Sequence, residues 1–242
     1  MIDAKEFDRL IEQVFAEHKE INAPNCEQRE KLRVLADFLL AENEKHNLTA
    51  IRTLEGVVKK HIFDSICIEK YIPVGAKIID VGSGAGFPSL PLAVMRSDLS
   101  ITPLDSTEKK VDHIKKAAEL MGLENVTPIV GRAEELAKTT ERRQSYDVAV
   151  ARSVAALPVL SELCLPFVKI GGLFLSMKSA SAAHEIEESK SAVKKLGGSP
   201  IEIVTLYNDP DDGDRCLFIS KKKSQTPSDL PRRYAQIKKK SL

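Results

Sequence analysis

No apolar run in this chain approaches the roughly 20 residues that a membrane span needs. The opening Met1-Ile-Asp-Ala-Lys-Glu6 is mixed in charge and has no signal-peptide core. Cysteine is scarce and scattered. Cys26, Cys67, Cys164 and Cys216 form no Cys-x-x-Cys pair, so the expectation is reduced thiols in a cytoplasmic protein with no metal site and no membrane association. There is no internal repeat. No heptad and no unclaimed apolar stripe asks for a second copy, so a monomer is expected.

What is present is ordinary in bulk and uneven in charge. A length of 242 residues suffices for one full α/β core with a modest addition. The formal net charge of +1 hides two opposed regions. From Lys221 onward there are eight Lys or Arg against one acid, Asp229, while the preceding residues hold 28 basic and 34 acidic side chains. A basic end on an acidic body suits a polyanionic partner, although such an end taken alone reads first as a solubilising, disordered terminus.

Three amphipathic helices open the chain. Residues 3–20 carry Phe7, Leu10, Ile11, Val14 and Phe15 on one stripe. Asn25 with Gln28 forms a candidate capping box for a second helix bearing Leu32, Leu35, Leu39 and Leu40. Thr53 is placed to cap a third, with Val57, Val58, Ile62 and Ile66. Together they make an N-terminal helical cap over 1–72, ended by Pro73 and Gly75.

Strands and helices then alternate over 73–221, the pattern of a parallel sheet covered on both faces. Strands are expected at Lys77–Val81, Ser100–Leu104, Val126–Val130, Tyr146–Ala151 and Leu173–Met177. Helices are expected at Phe87–Met95, Thr107–Met121, Arg132–Arg142, from Pro158 to near Gly171-Gly172, and at Ala182–Leu196. Ile201–Tyr207 and Arg215–Ser220, joined by the turn Asn208-Asp-Pro-Asp-Asp-Gly-Asp214, add an antiparallel pair. The expected fold is a mostly parallel seven-stranded α/β sheet with an antiparallel final strand, followed by a basic tail over 222–242.

The stretch Ile78-Ile-Asp-Val-Gly-Ser-Gly-Ala-Gly-Phe-Pro88 organises the rest. A buried strand runs into Gly82, Gly84 and Gly86, and Pro88 suits the first turn of a helix, so a ligand can meet bare backbone there. The third glycine of G-x-G-x-x-G is missing, which favours a smaller nucleoside cofactor over a nicotinamide dinucleotide. Asp105 ends the next strand at about the 20-residue separation from which a carboxylate reads a ribose diol.

Ligands of open parallel sheets collect beyond the carboxyl ends of the strands. That rule gathers Gly82–Phe87, Asp105-Ser106, Gly131-Arg-Ala-Glu-Glu135, Arg152-Ser153 and Lys178-Ser179 on one rim. Each has a plainer explanation. Glu134 and Glu135 suit a first helical turn through the helix dipole alone. Arg152 could be a structural ion-pair partner. Lys109 and Lys110 read first as a solvated helix face and second as an RNA contact. His61, with Asp64 and Ser65, resembles part of a hydrolytic triad, but no nucleophile elbow accompanies it, leaving a structural or substrate-facing histidine.

Seven segments in order, from Asn47-Leu-Thr-Ala-Ile51 and His61-x-x-Asp64-Ser65 through Asp80–Pro88, Leu104-Asp-Ser106, Gly131–Glu135 and Ala151-Arg152 to Pro231-Arg232, carry a family likeness. The chain resembles the glucose-inhibited division protein B family, the 16S ribosomal RNA guanine-N7 methyltransferases. It differs from that pattern at Ser89 (usually glycine), at Glu44-Lys45 in place of an aromatic, and at Ala235, Ile237 and Ser241. The resemblance implies a class I methyltransferase (Rossmann-like) fold binding S-adenosyl-L-methionine. It puts Gly82 and Phe87 at the cofactor, which the glycine turn also opens to Gly84 and Gly86, with Ala133 and Glu134 beside its adenine and Arg152 beside the cofactor at the substrate mouth. The partner it implies is 16S ribosomal RNA or the small ribosomal subunit, with His61, Lys109, Lys110, Arg232 and Arg233 as candidate contacts.

Guanine N7 presents a lone pair and no proton, so its methylation needs no base. The rim accordingly offers no convincing His or Cys nucleophile, and Ala151-Arg-Ser153 stands where amino-directed base methyltransferases resemble one another in an Asn/Asp-Pro-Pro-aromatic element. Arg152 and Arg132 are expected to hold a phosphate or orient the base, with catalysis mostly by positioning. The alternatives are a class I methyltransferase acting on a small molecule or protein, and a non-catalytic RNA-binding assembly factor.

Overall fold

The computed structural model describes residues 2–152, 155–209 and 213–242. Ser153 and the centre of the expected 208–214 turn lie outside the described residues.

Helix α1 (Ala4–Ala16) starts where the Asp3 carboxylate accepts the Glu6 N–H, and it buries all five residues of its apolar stripe. Helix α2 (Cys26–His46) starts at the Asn25/Gln28 capping box, both reciprocal bonds being 2.9 Å. The third expected helix is broken. Thr53 caps the short α3 (Leu54–Val57), a π-helical stretch follows at Val58–Phe63, and α4 is Asp64–Ile66. Single wide turns of this kind re-aim side chains and cluster at functional sites.

The sheet contains β1 (Lys77–Val81), β2 (Ser100–Asp105), β3 (Ile129–Val130), β4 (Tyr146–Arg152), β5 (Val168–Ser179), β6 (Glu202–Asp209) and β7 (Gly213–Lys221). Its order is β3-β2-β1-β4-β5-β7-β6, with β7 antiparallel to both its neighbours. Between the strands lie α5 (Ser89–Met95), α6 (Glu108–Leu120), α7 (Ala133–Leu136), α8 (Leu157–Cys164) and α9 (Glu185–Lys195), with α10 (Tyr234–Lys239) near the end.

Several boundaries differ from expectation. β3 shrinks to two residues, with Val126 making only an isolated bridge to Ile101. Helix α7 stops at Leu136 rather than continuing to residue 142. Pro88 is the N-cap of α5 rather than inside it. Helix α8 ends at Cys164, and Gly171-Gly172 belong to β5, which begins at Val168. Those glycines sit where the β4–β5 register jumps, Tyr146 facing Val168 and Val148 facing Leu173. A glycine pair reads as a helix stop, but it serves equally well at a sheet irregularity.

One buried cluster joins α1, α2 and the third helical region to one sheet face, through Phe7, Leu35, Ile62, Ile78, Leu90 and Leu217. On the other face Tyr146, Phe167 and Phe174 pack with Leu160 of α8, Val193 of α9, and Leu230 and Ile237 of the C-terminal segment. At about 1.5–3 kcal/mol for each fully buried large side chain, both faces contribute to holding the sheet.

Candidate functional site

Strand order reverses between β1 and β4, and the carboxyl ends of β1, β2, β3 and β4 open onto one cavity of about 670 Å³. That volume lies within the range of about 300–1,000 Å³ usual for small-molecule sites. Its walls include Gly82, Ser83, Gly84, Phe87, Asp105, Lys110, Arg132, Ala133, Glu134, Arg152, His61 and Tyr234.

The glycine turn and the acid are locked together. Gly82 and Ser83 donate to the Leu104 carbonyl at 2.8 and 3.0 Å, and Gly84 N–H donates to Asp105 Oδ2 at 3.1 Å. The other carboxylate oxygen accepts the Thr107 N–H at 2.9 Å, and Lys110 Nζ stands 3.6 Å from Oδ2. Gly84 has φ +58°, and a Cβ there would approach only the Gly82 carbonyl, at 4.0 Å. Its backbone therefore faces open space. Gly86 differs. It is not among the cavity-lining residues, and a Cβ on it would lie 2.5 Å from Leu90 Cδ1, so it packs against the core.

Behind the turn, Asp80 is completely buried. It accepts from Ser89 Oγ at 2.7 Å, and its Oδ1 has no partner among the described residues. Burial pushes its carboxyl up to about 7, against the pull of the Ser89 hydroxyl and the Arg152 charge. Ser83 Oγ is buried at the cavity wall and is likewise unpartnered among the described residues.

On the opposite wall Arg152 ties the end of β4 to the π-helical turn and α4. Its Nη1 donates to Asp64 Oδ2 at 3.1 Å and to the Lys60 carbonyl at 3.0 Å, and its Nη2 lies 3.1 Å from His61 Nδ1. The Lys60 carbonyl also lies 3.1 Å from Nδ1, but it already accepts from Arg152 and a guanidinium can only donate, so we assign the proton of His61 to Nε2, which then donates to Thr49 Oγ1 at 2.8 Å. Asn43 pins the segment bearing Thr49, accepting its N–H at 2.9 Å and donating to its carbonyl at 3.0 Å. The second Asp64 oxygen accepts the Tyr207 hydroxyl at 3.1 Å. The His61 ring stacks on Phe87 at 4.5 Å, with the Arg152 guanidinium 5.4 Å from the same ring. Burial, helped by the Arg152 charge, drives the His61 imidazolium down to about 3. The ring is neutral and both nitrogens are engaged.

Other expected site residues lie elsewhere. Lys109 is exposed on α6 and does not line the cavity. Arg232 grips the buried Glu162 through bonds of 2.6–3.2 Å, and Arg233 precedes α10 without facing the cavity. Lys178, on the expected rim, pairs with Glu185 at 3.0 Å. Arg132 donates from Nε to Glu134 at 3.1 Å and lies over the Tyr234 ring. Thr49, Tyr207 and Tyr234 received no role from the sequence, and Asp64 entered only beside His61 in the triad-like set. Thr49 and Asp64 do fall inside the family-like segments.

This strand order, with a glycine cradle after β1 and a carboxylate after β2, is that of the class I methyltransferase fold. A SAM-dependent O-methyltransferase from Thermotoga maritima superimposes with a TM-score of 0.52 over 78% of this chain and 72% of its own, at 18% sequence identity. The model of the rRNA small subunit methyltransferase G family matches residues 28–212. Ribosomal RNA small subunit methyltransferase G of Deinococcus radiodurans is 45% identical over 214 residues, covering 87% of this chain and 83% of that protein. The Clostridium beijerinckii protein of the same name is 43% identical over 215 residues, covering 88% and 90%. The chain belongs to the rRNA small subunit methyltransferase G family.

Proposed function

We infer that this protein transfers a methyl group from S-adenosyl-L-methionine to N7 of a guanine in small-subunit (16S) ribosomal RNA, acting in the cytoplasm as a monomer. Family membership supports the enzyme and its RNA. The exposed large apolar side chains Val74, Leu120, Val130, Ile170 and Ile203 belong to separate segments, which supports the monomer.

The cavity fits the cofactor. The bare backbone at Gly84, the unpartnered Ser83 hydroxyl on the wall and a carboxylate already oriented by two N–H groups match a polar, diol-bearing nucleoside. Gly82 and Gly84 would lie against it, Asp105 would accept from the ribose, and Ala133 and Glu134 would flank the adenine. When bound, S-adenosyl-L-methionine supplies a sulfonium-activated methyl group.

The observation that carries N7 is the state of His61, the one imidazole among the described residues of the cavity wall. Its Nδ1 faces Arg152 and the Lys60 carbonyl, its Nε2 faces Thr49 Oγ1, and burial holds its pKa far below neutrality. It cannot take a proton from an amino or hydroxyl group at pH 7. An in-plane lone pair needs no such help. Phe87 and His61 offer a stacked wall, Arg152 fixes the charge beside it, and the site works by holding geometry. In A-form RNA, N7 lies in a groove closed to side chains, so the target guanine is presented from a loop or during subunit assembly.

The test is transfer of labelled methyl from S-adenosyl-L-methionine to 30S particles and to protein-free rRNA, with the modified nucleotide mapped. We expect 7-methylguanosine at one site, and its absence from small-subunit rRNA of cells lacking the protein. Label on another atom, or an unchanged 7-methylguanosine content, overturns the assignment.

A further inference from the structure

The C-terminal segment is strongly basic, yet it is folded against the domain at three points. Lys222 is fully buried, its Nζ donating to the carbonyls of Leu165 and Leu196 at 2.8 Å and to the Thr226 hydroxyl. Arg143 collects the carbonyls of Thr226, Pro227 and Leu230, each at 2.8 Å. Arg232 closes on Glu162, whose side chain is 1% exposed. Leu230 and Ile237 then enter the core. These anchors fix α10, and its first residue, Tyr234, reaches the cavity wall.

There the Tyr234 ring carries the guanidinium of Arg132, 4.6 Å from its centroid. Arg132 Nε is spent on Glu134, whereas its two terminal nitrogens make no hydrogen bond among the described residues, and its side chain is 43% exposed. An aromatic face on one side and a carboxylate at Nε hold a guanidinium in place and leave its terminal nitrogens open. Such a fork matches two phosphate oxygens and binds them with little further loss of rotamer freedom.

We propose that Tyr234 is a positioning residue that holds Arg132 as a preformed fork for an RNA phosphate at the rim of the cavity. The C-terminal helix is then part of the site rather than a loose polycationic end. The proposal rests on the reading of the cavity as an RNA methyltransferase site. It requires the face of the ring and not its hydroxyl, which makes no hydrogen bond to Arg132 among the described residues. Phenylalanine should therefore substitute, and an aliphatic side chain should not.

The full-length Tyr234→Phe, Tyr234→Leu and Arg132→Ala proteins are compared with wild type. Binding to a small-subunit rRNA fragment is followed across a potassium chloride series, cofactor affinity by calorimetry, and kcat and KM with 30S particles. Tyr234→Leu should raise KM for RNA about three- to tenfold and flatten the salt dependence by roughly 0.7–0.9, the loss of one phosphate contact. Cofactor affinity should stay within about twofold, and Tyr234→Phe should match wild type. Adding Tyr234→Leu to Arg132→Ala should change nothing more, as expected for two residues acting as a unit. An unchanged salt slope in Tyr234→Leu, equal damage from Phe and Leu, additivity with Arg132→Ala, or a defect confined to the cofactor each overturns the proposal. If the leucine variant does not fold, Tyr234→Met fills the space without a ring face and gives the same readings. RNA binding is measured without turnover, so a failure to find 7-methylguanosine removes the proposed reaction while the binding data still accept or reject the role of Tyr234.

Discussion

Arg152 holds two jobs, and they separate experimentally. Its charge neutralises Asp64, whose side chain is 10% exposed, and its fork sets the His61 ring against Phe87. Removing one member of a buried pair leaves the other charge uncompensated, at a cost of about 3–5 kcal/mol, so Arg152→Ala would confound activity with folding. Lysine keeps the charge and loses the fork. We expect Arg152→Lys to fold, to bind the cofactor within a few-fold of wild type, and to lose methyl transfer by about 100-fold or more, as a displaced reacting geometry does. Single-turnover transfer measured beside calorimetry checks this, and undiminished transfer would remove Arg152 from the chemistry. A second residue bears on stability alone. His113 stacks on Phe38 at 4.9 Å, is 5% exposed, and neither ring nitrogen has a partner among the described residues. Burial lowers its pKa from 6.5 to about 4, as burial and Arg152 lower that of His61 to about 3. Both stay neutral in the fold while the unfolded chain takes up a proton below pH 6.5. Stability is therefore complete above that pH and lost on acidification, each histidine adding a slope of at most about 1.4 kcal/mol per pH unit. His113→Phe should raise the melting temperature at pH 7 and remove one of the two slopes between about pH 4 and 6.5. Melting curves over that range check it, and a slope equal to wild type contradicts the burial argument.

At the scale of elements, the sequence was readable wherever one local signal decided the structure. Asn25 with Gln28 and Thr53 announce helix starts because capping involves groups three residues apart. The strands β1, β2 and β4 announce themselves as apolar runs because both faces of the sheet are covered. The Gly84–Asp105 contact was legible too, since successive parallel strands put their ends side by side. The failures share a cause. Gly171-Gly172 read as a helix stop because a glycine pair marks a backbone irregularity without saying which element contains it. The π-helical turn at Val58–Phe63 leaves the apolar spacing of a helix nearly intact, so periodicity passes over it. His61 and Arg152 are 91 residues apart and meet only because that turn and the end of β4 face one cavity. No spacing rule reaches that far.

For the whole molecule, the basic terminus mixes two kinds of residue that composition cannot sort. Lys222 and Arg232 point inward, Lys222 to the Leu165 and Leu196 carbonyls and the Thr226 hydroxyl and Arg232 to Glu162, whereas Lys238, Lys239 and Lys240 are exposed. A basic run suggests an electrostatic lure, and only the second group is free to act as one. Two truncations divide them. Ending the chain after Asp229 strands the buried Glu162 carboxylate and strips Leu230 and Ile237 from the core. Those losses sum to several kcal/mol, and at about 2–4 °C per kcal/mol for a chain of this size the melting temperature should fall by roughly 10–25 °C. Ending it after Ile237 removes the three lysines and keeps every anchor, so the melting temperature should hold within a few degrees while rRNA binding weakens at low salt and converges with wild type as salt rises. Calorimetric melts and a salt series on the same two proteins distinguish the groups. Equal melting of both truncations would mean that the segment lies on the surface without supporting it. A stability loss confined to the longer deletion would make the end of this chain a structural wall carrying an electrostatic fringe.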